Sequence, residues 1–271
     1  MSRRTHAVGV VLALGWLVLP LVPVLLWAGA ERWSFPDLLP QAWGTGGWRD
    51  AGAAGLAPAL LRSLALAVAV AAVATPVGLV AGRALGWRLT ARPRLVVAVL
   101  LVPVVLPPFA VAMGLDVVLI RIGLPALVSV VVLLAVVAVP YAAYTTAVGY
   151  ARTSPELESQ ARALGATPRQ ARWQVVLPAM RGSIVVAALL AFLVGWSDYV
   201  VTLLVGGGRF VTAPVLLGST AAGSGTDATV AAMALATLLP PVLLVVAVAA
   251  VVRRRGGAAE TDPMPVEERM R

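Results

Sequence analysis

Apolar residues run along this chain in six long, unbroken blocks. They cover His6–Trp27, Pro58–Arg83, Arg94–Ile120, Leu124–Tyr150, Gly182–Val205 and Val230–Val252. Each is long enough for a helix that crosses a bilayer, which needs about 20 residues. None alternates polar and apolar at every second position, so membrane barrel strands are excluded. The pattern predicts an all-α membrane protein with six transmembrane helices. It divides the chain into a first helix with an external loop, residues 1–57, a transmembrane domain, 58–252, and a polar tail, 253–271, expected to be disordered. The first block follows Arg3-Arg4 and precedes Ala28-Gly29-Ala30, which resembles a signal cleavage site. Its apolar part is longer than the about 7–15 residues of a signal core, so it is read as a retained helix.

Composition strengthens this picture. Of 271 residues, 60% are apolar and 12% charged, against about 45–50% and about 25% in soluble domains. Mean hydropathy is +0.93. The length is too small for a carrier made of two fused six-helix halves, and it leaves no room for a soluble catalytic domain. The absence of Cys excludes thiolate metal sites and disulfides.

The net charge of +9 comes from 21 basic residues, all of them Arg. With the N-terminus placed in the cytoplasm and the spans alternating, sixteen Arg fall on the inner side. Five (Arg32, Arg49, Arg62, Arg121 and Arg209) fall on the outer side. Basic residues collect on the cytoplasmic side of membrane proteins, so both termini are expected there. The charge is topological and does not indicate nucleic acid.

The connections differ in character. Gly29–Ala57 is expected outside, with Trp33, Trp43 and Trp48 at the headgroup level. Arg121–Gly123 makes the third and fourth spans a hairpin. Residues 206–229 read as a Gly/Ser/Thr-rich loop. The inner stretch Ala151–Arg181 carries the most local design. Ser154-Pro155-Glu156 reads as cap, first-turn proline and first-turn acid. Leu157, Ala161 and Leu164 then fall on one helical face, and Gly165 suits a helix stop. Thr167 and Gln170 stand at capping-box spacing, and Leu177-Pro178 ends the second helix before the fifth span. The apolar face is too narrow to fold alone. Its small residues and its two acids, Glu156 and Glu158, favour a protein groove over a membrane surface.

Leu157-Glu158-Ser159-Gln160-Ala161-Arg162-Ala163-Leu164-Gly165-Ala166, followed by Val175-Val176-Leu177-Pro178, resembles the EAA loop of permease subunits of binding-protein-dependent ABC importers, of the type I fold. Nine residues separate Gly165 from Val175, as in that pattern. Ser159 stands where the pattern has Glu and Gln160 where it has Ala, with Glu158 one position early. The resemblance extends from about Leu60 to Arg254, through Gly195-Trp196-Ser197-Asp198-Tyr199. It implies a coupling helix between the fourth and fifth spans, carried by Glu156, Leu157, Glu158, Ala161, Leu164, Gly165, Ala166, Leu177 and Pro178. The partners it implies are two copies of an ATP-binding subunit, a second permease subunit (identical or a sister chain) and an extracytoplasmic solute-binding protein. ATP would be hydrolysed by the partner, with no cofactor on this chain, in a bacterial plasma (inner) membrane. Val102-Pro103-Val104-Val105-Leu106-Pro107-Pro108 and Leu203–Arg209 look most similar to the polyamine/iron/thiamine-type group. The competing class is a stand-alone secondary transporter or channel.

Acids inside a membrane default to functional hypotheses. Asp116 and Asp198 are the two here, and Trp196, Ser197, Asp198, Tyr199 and Thr202 form a polar-aromatic segment. Two readings stand: these side chains line a translocation path for a cationic solute, or an Asp–Arg62 pair and helix contacts fix packing. Among the prolines inside spans, Pro107-Pro108 is the pair expected to matter most. A single His, His6, leaves a Ser–His protease without a base. No His/Asp/Glu cluster has metal-ligand spacing, and no Gly-rich loop ends in Lys-Ser/Thr. An enzyme is not expected.

Overall fold

The computed structural model describes residues 8–258, apart from 10, 11, 13, 14, 17, 35 and 224 and the side chains of 108, 251 and 253–258. Arg3, Arg4 and His6 therefore lie outside the described residues, as does most of the predicted tail. The elements in order are helix α1 (Leu21–Ala28), strands β1 (Ala30–Arg32) and β2 (Ala42–Trp43), and helices α2 (Gly46–Ala53), α3 (Leu56–Gly86), α4 (Pro93–Val105), α5 (Pro108–Arg121), α6 (Ala126–Arg152) and α7 (Glu156–Ala163). They continue with α8 (Pro168–Ala179), then α9 (Arg181–Ser197), α10 (Val200–Val205), α11 (Ala213–Ala222) and α12 (Asp227–Ala258).

Among the described residues, three helices are long and apolar enough to cross a membrane: α3, α6 and α12. Two bent pairs raise the count to five if each is one span: α4 with α5, bent by 102°, and α8 with α9, bent by 77°. The protein is thus an all-α membrane protein. Two of the predicted continuous spans need correction, because each is broken. The third breaks at Leu106-Pro107, where both residues take extended ψ values of 141° and 130°. A proline pushes the residue before it toward extended backbone, and two in a row extend both predecessors here. The fifth breaks at Asp198, with ψ 130°. The sixth continues past its expected end at Val252 to Ala258.

The chain divides into two compact units. One holds Leu64–Gly207 and the residues after Pro240. Its centre is built on small residues. Gly78, Gly82 and Gly86 recur every fourth position on α3 and face α6. A Cβ at Gly78 would stand 2.5 Å from that of Ala142, and one at Gly86 would stand 2.6 Å from that of Tyr150. A Cβ at Gly82 would strike the Thr146 side chain. Close backbone approach of this kind is how helices associate in lipid, where no hydrophobic drive separates tails from Leu. Fully buried Thr146 donates across the seam to the Gly78 carbonyl at 2.8 Å. Gly195 of α9 approaches α3 likewise, a Cβ there lying 2.9 Å from the Ala67 Cα. Gly149 of α6 gives the same close approach to Ser183 of α9.

The other unit holds the residues up to Ser63 together with Gly208–Pro240. The external stretch expected as a loop carries an antiparallel pair, Ala30 opposite Trp43 and Arg32 opposite Ala42. Trp27 and Trp33 lie with ring centroids 4.6 Å apart, while Trp43 and Trp48 are exposed. The Gly/Ser/Thr-rich stretch expected as loop contains α11. There the Ala213 amide, at its start, donates to buried Ser63 Oγ at 2.8 Å. Arg62 donates to the Val211 carbonyl at 3.3 Å. Ala51, Leu56, Ala232 and Met233 form this unit's apolar core.

Candidate functional site

The loop between α6 and α9 is closed locally at each turn. Ser154 Oγ accepts from the Glu156 amide at 3.2 Å, which starts α7. Its end is a paired bond set: Gly165 N–H to the Arg162 carbonyl at 3.0 Å and Ala166 N–H to that of Ala161 at 3.1 Å. Gly165 has φ +92°, the left-handed value that this helix stop requires and glycine alone adopts freely. Thr167 and Gln170 form the expected capping box. The Thr167 hydroxyl accepts from the Gln170 amide at 3.3 Å, and the Gln170 side chain accepts from the Thr167 amide at 2.8 Å.

The second helix departs from expectation in one respect. It does not stop at Leu177-Pro178 but runs to Ala179, through a π turn at Ala171–Val176. Pro178 has no amide for the helical ladder, and the ladder has already slipped in the turn before it. The bend into α9 falls at Met180 instead. Val176 and Met180 pack with Tyr150 in a small buried cluster, joined by Leu79, Trp87 and Ile184.

The predicted coupling residues separate into two sets. Glu156, Leu157, Leu164, Gly165 and Pro178 are exposed, while Ala161, Ala166 and Leu177 are half-buried. Leu164 is 90% exposed, with nothing in the chain covering it. Trp173, which sequence reasoning did not single out, is 63% exposed on the neighbouring helix. Glu158 is different. It points back into the chain and accepts from Arg83 Nη2 through both oxygens, at 3.2 and 2.9 Å. The pair is only 24% and 13% exposed for Arg83 and Glu158, and it is the only ion pair among the described residues. Arg83 lies 5.0 Å from the Trp87 ring centroid. The Trp87 indole N–H is shared between the carbonyls of Tyr150 and Thr153, each at 2.9 Å.

Arg83 and Trp87 were missed because the sequence marked Arg83 only as an inner-side charge. The available signal was their spacing of four across the end of α3, where the Trp87 amide still bonds to the Arg83 carbonyl at 3.1 Å, which brings two side chains together on one face.

The polar-aromatic segment resolves into separate roles. The Asp198 carboxylate receives the amides of Val201 at 3.3 Å and Thr202 at 2.7 Å, and the Thr202 hydroxyl at 2.8 Å. It caps α10 and stabilises the break in the fifth span. Trp196 is buried and stacks on Phe192, with centroids 5.8 Å apart. Ser197 is exposed and donates to the Leu193 carbonyl at 2.8 Å. Tyr199 is exposed, and Asp116 is half-buried on α5. No group of acids and histidines able to hold a metal occurs among the described residues.

Apolar helices, four of them joined in two sharply bent pairs, and a stiff and partly uncovered loop define a multi-pass helical membrane protein. A family model described as "binding-protein-dependent transport system inner membrane component" matches residues 74–257. The match spans most of the chain, so the chain belongs to that family, a membrane permease component of transport systems and not a known class of enzyme. Such systems work with solute-binding and ATP-binding partners. A search of curated proteins gives no match.

Proposed function

We propose that this chain is the permease subunit of an ABC-type importer and that the loop 151–181 is its coupling element to a separate ATP-binding subunit. The observation that carries the reading is the uncovered apolar set Leu157, Leu164 and Trp173 on a segment stiffened by a capping box and a glycine-closed helix end. A segment that must push needs stiffness, and one that must dock needs exposed apolar surface; this loop has both. The Arg asymmetry supports placing it in the cytoplasm with both termini, on a six-span chain. The translocation path is then shared with a second permease copy or sister chain, and two ATP-binding subunits drive it. The chain binds no cofactor of its own. Asp116 and Tyr199 are the path residues that the local packing leaves open, and an acid in a broken-helix region fits a cationic solute such as a polyamine. Iron- or thiamine-type solutes belong to the same group of look-alikes.

The test is reconstitution. Co-expression with its ATP-binding subunits and addition of its loaded solute-binding protein give a complex whose ATP hydrolysis rises. Uptake driven by an ion gradient through this chain alone would overturn the reading. Binding assays on the solute-binding protein decide the solute.

A further inference from the structure

The coupling reading leaves open how a push on α7 reaches the membrane helices. A short loop with an uncovered apolar face can swing on its two ends without moving anything else. Here it is tied at a third point. Glu158 sits in the first turn of α7, and Arg83 in the last turn of α3, 75 residues earlier. Both carboxylate oxygens accept from the one guanidinium nitrogen Nη2, and the pair's partial burial keeps water from competing for the contact. Trp87 braces the guanidinium from the other side and donates to two carbonyls at the end of α6. Its ring also meets Tyr150 edge-on, with centroids 5.0 Å apart at 77°. Arg83 lies within the glycine seam of α3, between Gly82 and Gly86, which lie against Thr146, Ala147 and Tyr150 with no room for a Cβ.

We infer that Arg83 is a positioning residue for coupling: with Glu158 and Trp87 it makes α7 and the end of α3 one rigid body, so that load on the loop is delivered to the α3–α6 seam. The inference rests on the coupling reading, since the load comes from the ATP-binding subunit. It separates docking from transmission. Docking uses the uncovered Leu157, Leu164 and Trp173. Transmission uses the half-buried Arg83–Glu158 pair, which is turned back into the chain.

The experiment compares hydrogen exchange of the α3 amides in the full complex, nucleotide-free against vanadate-trapped with ATP. In the unsubstituted complex the two states differ at the end of α3. In Arg83→Gln and in Glu158→Gln, capture of the ATP-binding subunit is retained, while the ATP-driven difference at α3 falls by about fivefold or more. The charge swap, Arg83→Glu with Glu158→Arg, restores it, as the cross term of a double-mutant cycle requires. Simple loss of structure would not be rescued in this way.

A second route does not depend on the swap folding. The chain has no Cys, so Arg83→Cys with Glu158→Cys offers one thiol pair. Before cross-linking the response is lost; a short bis-maleimide bridge brings it back. A bridge that leaves the response lost, or an Arg83→Gln complex that responds like the unsubstituted one, overturns the inference while leaving the coupling reading intact. Failure of the unsubstituted chain to capture any ATP-binding subunit overturns the coupling reading and the inference with it.

Discussion

The α3–α6 seam and the loop that follows α6 are adjacent in the chain and opposite in character. In the seam, each small residue is matched by a backbone that fills the space, and Thr146 finds its carbonyl partners within the chain. In the loop, backbone bonds are equally complete, yet Leu164 and Trp173 stand uncovered. The seam is finished by its own contacts, whereas the loop, though tied through Glu158, Val176 and Met180, leaves its largest outward apolar side chains uncovered. A segment whose local bonds are closed and whose large apolar side chains are left out has a conformation independent of its partner. That is what a pre-formed docking element requires, because little ordering cost remains to oppose binding.

The largest effect expected from breaking this contrast is in the seam. Gly82→Leu places a branched side chain where a Cβ already collides with Thr146. Overpacking alone costs about 1–3 kcal/mol and backbone displacement adds to it, so the variant should lose most of its folded yield in a detergent melting assay. Gly165→Val comes next. Nothing lies within 4 Å of a Cβ there, so the cost is backbone strain at φ +92°, about 1–2 kcal/mol. The expectation is a chain that inserts normally and a complex that hydrolyses ATP without transport; normal transport would remove Gly165 from the account. Thr146→Val removes the cross-seam hydrogen bond, at about 1 kcal/mol, and should lower the melting temperature modestly. Leu164→Ser is the smallest for stability, within about 0.5 kcal/mol, because nothing covers Leu164. It should nonetheless weaken capture of the ATP-binding subunit most of the four.

How much of this was legible depends on how local each feature is. The capping box at Thr167 and Gln170 and the stop at Gly165 are set by residues a few positions apart, and both form as the spacing implies. The breaks are less legible. Pro107-Pro108 interrupts its span, whereas Pro240-Pro241 lies inside the continuous α12. The same dipeptide gives two outcomes, so the local rule does not decide and the surroundings do. The stop at Asp198 was hidden by the unbroken apolar block around it. Its carboxylate accepts the Val201 and Thr202 amides, a local role that the sequence did not mark. The Arg83–Glu158 contact is tertiary, and no spacing along the chain announces it. The apolar blocks themselves follow from the bilayer's demand for length and hydrophobicity, and α3, α6 and α12 meet that demand.

The central claim is that Leu164 is uncovered in this chain because a partner covers it. Since the chain lacks Cys, Leu164→Cys gives a single thiol whose maleimide labelling rate reads that cover directly. The account predicts fast labelling of the chain alone and strong protection once it is assembled with its ATP-binding subunit. Equal labelling rates in the free chain and in the assembled complex would contradict it.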